Sequence, residues 1–361
     1  MYFSRFFPAK ASVLAFSAIL GVFSQQTNAA EPSHLEHPHS AGTFMVEAMY
    51  MRMNMDGLRA GTSDVSTSAA TGIGGQYNHS MVPTEMTMDM FMLMPMYNFT
   101  KDTSVMLMFN YLDNNMGMTS IGQNNGDPCG SDMSTSGIGD TQISLSHKFL
   151  DDEFAASLEL NVPTGSVSER TTMKMLMGGR MCHDHDMVAP YAMQLGSGTY
   201  DVTPSITYLG AYYSWRYGAQ LGYKLRTGEN DSGYTLGDEA KAKLWIRKPV
   251  FGITLSGELD IKRWGSIDGK NKELDEMLND ANMIVTTPNP NAGGIPTTMK
   301  FAPTLYPENY GGTLAELNIN AKIPVSMAYI IGELTFPLYQ DLNGLQMKRS
   351  ISYTLSLGAM F

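Results

Sequence analysis

Charge is scarce in this chain. Asp, Glu, Lys and Arg make up 16% of its 361 residues, and the imbalance is acidic, 24 basic against 35 acidic. A net charge of −11 excludes nucleic-acid binding, which needs a basic face. Long apolar runs are missing as well: after residue 30 no stretch approaches the roughly 18 uncharged apolar residues of a membrane-spanning helix. Cysteine is limited to Cys129 and Cys182, without the paired spacing of a zinc finger. Low charge, no long run and a mean hydropathy of only −0.16 together fit a transmembrane β-barrel, whose lipid-facing and lumen-facing residues alternate and average out.

The two ends agree with export and outer-membrane insertion. Arg5 and Lys10 precede an apolar segment, residues 11–23, closed by the small residues Thr27, Ala29 and Ala30; this order reads as a cleavable secretory peptide over 1–30. Residues 31–42 then form a periplasmic tail carrying His34, His37 and His39, and 43–361 a single barrel domain. The last residues, from Ile351 to Phe361, alternate apolar with small polar side chains up to a terminal aromatic. Bacterial outer-membrane barrels end in a similar strand, which their insertion machinery reads.

Period-2 alternation marks twelve candidate strands: 43–55, 85–98, 103–113, 137–149, 153–163, 201–209, 214–226, 239–248, 250–263, 312–323, 326–338 and 346–361. Each is near the 9–11 residues that cross a bilayer at barrel tilt. Their connections alternate between short (99–102, 150–152, 210–213, 249, 324–325) and long (56–84, 114–136, 164–200, 227–238, 264–311, 339–345). This predicts an all-β, antiparallel barrel of about 12 strands in the bacterial outer membrane, with short periplasmic turns and long extracellular loops.

What the chain has in excess is methionine. Of its 30 Met, sixteen fall between residues 45 and 118. In the segment from Glu85 to Met96, Met86, Met88, Met90, Met92, Met94 and Met96 occupy every second position, opposite Phe91 and Leu93. In 43–55, Met45, Met49, Met51 and Met53 share a face with Glu47, against Phe44, Val46, Ala48 and Tyr50. In 103–113, Met106 and Met108 share a face with Ser104 and Asn110. Charged groups are costly against lipid, so the faces that Met shares with Glu, Ser and Asn point into the lumen. Glu85 and Asp89 sit at the opposite, Phe91 parity, which calls for a bulge or emergence into the headgroup zone. Leu, Ile or Val would supply greasiness with better strand propensity. Met adds a soft thioether, a ligand for Cu(I) and by the same softness Ag(I). Adjacent strands hold facing side chains about 5 Å apart, close enough for sites of two or three sulfurs. A hydrophobic conduit and plain packing of an irregular lumen are the alternatives.

The loop 164–200 repeats the theme with Met173, Met175, Met177, Met181, His183, His185 and Met187 around Cys182. These are soft or borderline ligands in no zinc-finger spacing. Cys129 and Cys182 lie on two long loops of one side, where an oxidising compartment permits a bridge; bridged, Cys182 ceases to be a ligand. The later strands place charge at lumen parity instead: Arg216, Lys224, Arg226, Lys241, Lys243, Glu258, Asp260, Glu316 and Glu333. Such residues either pair across the wall and stiffen a narrow barrel or line a path for a polar or anionic solute. His183 and His185 have no evident Ser partner, His147 lies at an oily parity near the short-turn end and His79 in a long loop, and no enzyme is expected. No resident cofactor is expected either. Partners are outer-membrane lipid, the insertion machinery through the Phe361 strand, and either Cu(I)/Ag(I) or small hydrophobic solutes.

Five segments carry a family resemblance: MYMRMNMDG at 49–57, VPTGS at 162–166, MQLGSGTY at 193–200, GENDSG at 228–233 and PLYQDLNG at 337–344. With these the chain resembles bacterial outer-membrane transporters named for the meta-cleavage pathway of phenol degradation. The resemblance implies a barrel and uptake of aromatic solutes; none of the segments is catalytic. In its methionine and histidine content the chain is also similar to Met-rich copper-resistance outer-membrane proteins.

Overall fold

The computed structural model describes residues 40–71, 76–120, 130–177, 181–280, 286–289 and 295–361, with backbone alone for 175–177, 181–183, 286–289 and 295–298. The expected signal segment, the tail histidines and Cys129 lie outside the described residues, as does the side chain of Cys182.

Thirteen strand segments build the wall: β1 (Phe44–Gly61), β2 (Met81–Asn98), β3 (Thr103–Ser120), β4 (Gly130–Ile138), β5 (Thr141–Phe149), β6 (Phe154–Val162), β7 (Tyr200–Tyr212), β8 (Trp215–Thr227), β9 (Glu239–Val250), β10 (Ile253–Trp264), β11 (Gly312–Val325), β12 (Ala328–Arg349) and β13 (Ser352–Met360). β4 and β5 are two halves of one stave, interrupted at Gly139–Asp140, and both pair with β3. Every stave is antiparallel to its sequence neighbours, and β1 pairs with both β2 and β13. The result is a closed barrel of twelve strands, which leaves no edge whose backbone groups would have to meet lipid unpaired.

Alternation decides which side of each stave is oily. Phe91, Leu93, Leu145, Leu221, Leu244, Ile246, Leu255, Ile319, Leu355 and Leu357 are all exposed on the outside, a surface that only hydrocarbon would cover. The periplasmic turns are tight. Phe251 and Gly252 both adopt positive φ, 51° and 83°, the geometry that reverses a twisted hairpin in two residues. At the neighbouring turn Tyr208 meets Tyr217 and Tyr212 meets Tyr213 in ring contacts, with Trp215 exposed beside them, as suits the membrane interface.

Two expected connections move. The segment 339–345 is not a loop: it lies within the 22-residue strand β12, and the chain reverses only at 350–351. β13 is therefore short, and β1 runs past its end to pair with β12 directly, from Met55 opposite Arg349 to Gly61 opposite Leu342. Asn54 stitches the step, its Nδ2 donating to the Ile351 carbonyl and its own carbonyl accepting from Ser350 N. Likewise 114–136 is largely strand, because β3 and β4 continue well beyond bilayer height.

Candidate functional site

The inward face of β1, β2 and β3 is a wall of sulfur. Met45, Met49, Met53 and Met55, then Met86 through Met96 at even positions, then Met106, Met108, Met116 and Met118 are all buried; Met51 is half-buried against them. Register sets them in rows: Met45 opposite Met96, Met49 opposite Met92, Met51 opposite Met90, Met53 opposite Met88 and Met55 opposite Met86. Two rows extend further. Met96 also faces Met106, and Met86 faces Met116, which faces Met133 on β4. Near the periplasmic end, Tyr329 donates from Oη to Glu47 Oε2 at 2.5 Å and approaches the Met45 sulfur at 3.7 Å. The inward placement expected for Met holds along all three strands.

Asp89 stays on the outer face. The bulge expected near it falls earlier, between Pro83 and Glu85, and does not turn the side chain inward. Arg52 holds it instead: Nε and Nη2 donate to the two carboxylate oxygens at 2.7 and 2.6 Å, and Tyr50 Oη adds a third bond at 2.6 Å.

Extracellular loops cover the wall. The hairpin Arg170–Met177/Met181–Val188 buries Met173 and Met187 and half-buries His185, while Asp184 and Asp186 face solvent. Its register sets Met173 against His185 and Met175 against His183; the side chains of Met175, Met177, Met181 and His183 lie outside the described residues. Tyr191, Met193, Tyr234, Leu274, Phe301 and Leu305 join the same apolar cluster as the barrel methionines. Leu274 sits in α1 (Lys272–Asn279), capped by Asn271, whose side chain accepts from Glu273 N and Leu274 N. Burial drives the Tyr191 phenol up to about 12. His79 is buried with Nδ1 on the Phe301 carbonyl, and desolvation holds its basicity below that of an ordinary histidine.

The opposite wall, β6 to β12, carries charge in pairs. Lys243 Nζ lies 2.6 Å from Glu258 and 3.2 Å from Asp260; Arg247 reaches Glu258 at 3.8 Å, Lys224 reaches Glu159 at 3.6 Å and Arg349 reaches Glu316 at 3.2 Å. Lys241 pairs with Glu239 and Arg226 with Asp201. Lys322 stands over the Tyr329 ring at 3.7 Å, and Glu333 accepts from Asn320. Arg216, also at lumen parity, is exposed beside a periplasmic turn. Above this wall Asp140 receives Gly165 N, Ser197 N and Oγ, and Asn161 Nδ2. That knot ties the VPTGS and MQLGSGTY segments together; Gly165 and Gly196 touch so closely that a Cβ on either would meet backbone at 2.5 Å or less.

Between wall and loops lies a cavity of about 1340 Å³, partly open to solvent. Met53, Met55, Met86, Met88, Met90 and Met116 form one side, and Tyr191 and Tyr310 the roof. The far side holds Lys262, Arg349 and the amides of Asn309, Gln340 and Gln346. Gln340 escaped the sequence reading because it falls in the segment expected to be a loop, and Arg349 because it precedes the turn at 350–351, which resets the alternation. Among the described residues, no group of three or more His, Cys, Asp or Glu side chains is placed to hold a metal ion, so a soft-metal site would have to be built on thioethers.

No family profile and no curated protein matches this sequence. Solved structures do. An outer membrane channel from Pseudomonas putida F1 is similar over 93% of this chain and 100% of its own, at 13% identity and a TM-score of 0.55. The P. putida toluene transporter TodX (10% identity, 92% and 93% covered) and the translocator domain of the autotransporter NalP from Neisseria meningitidis (10%, 92% and 92%) both score 0.44. The likeness to the first of these is one of fold, a closed outer-membrane β-barrel.

Proposed function

We propose that this barrel is an outer-membrane channel for small hydrophobic solutes of about aromatic size, held during passage in the cavity beneath the loops. The cavity itself carries the reading. It is walled by unbranched thioethers that adapt to irregular apolar bodies and make favourable contacts with aromatic rings. Purified full-length protein in liposomes should raise the flux of toluene-sized solutes above that of protein-free vesicles. Flux indistinguishable from bare vesicles would overturn the reading. The Phe361-ended strand is the part we assign to recognition by the insertion machinery.

A second reading is favoured by the cross-strand rows: passage or sequestration of Cu(I) or Ag(I), taken as cargo by thioethers such as Met55, Met86, Met116 and Met133. Titration with Cu(I) under a competing chelator tests it. Stoichiometric binding that disappears when Met86 to Met96 are replaced by Leu supports it; binding unchanged by that replacement rules it out.

A further inference from the structure

The charged side chains bordering the methionine cavity are of one sign. They are Lys262 and Arg349, and among the described residues no carboxylate borders it. The remaining polar groups on that side are amides. A wall of thioether faced by two cations selects a ligand with an apolar body and a single negative head.

Arg349 also stands at a junction. Two smaller cavities, of about 500 and 410 Å³, lie along the ionic wall, and Arg349 borders both of them as well as the large one. The smaller pair is lined by Glu258, Asp260 and Glu316 among others, so the surroundings turn from purely cationic to mixed as one moves past the guanidinium. The backbone of Arg349 is clamped on both sides by one amide: Gln340 Oε1 accepts from Arg349 N at 2.8 Å, and Gln340 Nε2 donates to Arg349 O at 2.9 Å. Nη1 meets Glu316 at 3.3 and 3.2 Å from its two oxygens, through a single nitrogen. That geometry is not the two-nitrogen fork of a strong arginine–carboxylate pair, and it leaves the guanidinium with further donors to offer.

We infer, resting on the channel reading above, that the solutes are amphipathic anions bearing one carboxylate, and that Arg349 is the residue that receives it. The solute's apolar part lies against Met53, Met86 and Met88. Its carboxylate takes the Arg349 fork in place of Glu316, and the return of Glu316 displaces it toward the smaller cavities. No bond is made or broken. Arg349 would then set specificity, and Gln340 would position it.

The test uses full-length protein in liposomes with two probes of one carbon skeleton, 4-phenylbutyrate and 4-phenylbutanol. Quenching of tryptophan fluorescence, with Trp264 on the cavity wall, gives affinities beside the fluxes. Wild type should prefer the acid by about tenfold or more, the worth of a charge-assisted hydrogen bond. The double variant R349Q with E316Q removes both partners, so no buried charge is orphaned, and should bring the acid-to-alcohol ratio to about one. R349K should fall between, since an ammonium lacks the fork. A wild-type ratio of one or below, or a ratio that survives the double variant, overturns the inference while leaving the channel intact. Passage of neither probe above bare vesicles removes the channel reading itself and the inference with it.

Discussion

The two halves of the lumen obey one backbone geometry and differ in what each side chain depends on. On β1 to β3 every inward Met contributes its own burial and dispersion, and its neighbours ask nothing specific of it. On β6 to β12 most inward charges are acceptable only because another answers them, as Lys243 answers Glu258 and Asp260. The first wall is a sum of independent terms, the second a network. The difference teaches where this barrel tolerates change: thioether for hydrocarbon costs little, whereas one missing partner costs much.

The comparison breaks most violently when charge crosses to the sulfur side. Met88→Asp puts an unanswered carboxylate among buried thioethers, a cost of several kcal/mol. We expect loss of the heat-modifiable folded band on electrophoresis. Next comes a deletion within the network. Lys243→Met leaves Glu258 and Asp260 facing one another and should destabilise by about 3–5 kcal/mol, read from urea unfolding in vesicles. Adding Glu258→Gln and Asp260→Asn should restore much of that loss, because the charges that needed an answer are gone. Met92→Leu sharpens the contrast from the other side, with a cost under about 1.5 kcal/mol.

The smallest effect concerns the loop cover. His79 is kept neutral by burial. Released from the cover it regains an ordinary affinity for protons, so the released form binds more protons wherever the two differ. Stability of the cover therefore falls as pH drops below about 6.5, the ordinary histidine value, and is unaffected by this group well above it. The hydrogen-exchange protection of Leu305 and Asn309, taken relative to intrinsic exchange at each pH, should fall between pH 7.5 and 5, and His79→Gln should flatten that dependence.

Much of this architecture is legible in residue order because a barrel wall has only two faces. Alternation placed Met45 through Met108 inward, and set Lys224 and Glu258 on the lumen side. What escaped it were the places where the count of two is interrupted. The turn at 350–351 gives Arg349 to β12 instead of to the final strand, so simple parity from Tyr353 would aim it at lipid. The register shift opposite Ala315 and Glu316 and the positive φ of Gly344 reset the alternation twice more within β12, which hid Gln340. Asp89 misled in the opposite sense: its parity was right, and the partner that makes an outer-face carboxylate tolerable, Arg52, sits on the neighbouring stave. The Asp140 knot joins segments more than 50 residues apart, from Asp140 to Ser197, and no local pattern announces such a closure.

The Arg52–Asp89 pair fixes where the membrane must stop. Ten residues separate Asp89 from Phe99 along β2; at about 3.4 Å each and a tilt near 40° they rise roughly 26 Å, the height of an outer-membrane hydrocarbon slab. Met53, Met55, Met86 and Met88 lie beyond that mark, so the part of the chamber they wall stands at headgroup height, with Met90 just below it. On the channel reading proposed above, cargo is then caught from the watery side of the outer leaflet, before it has dissolved in oil.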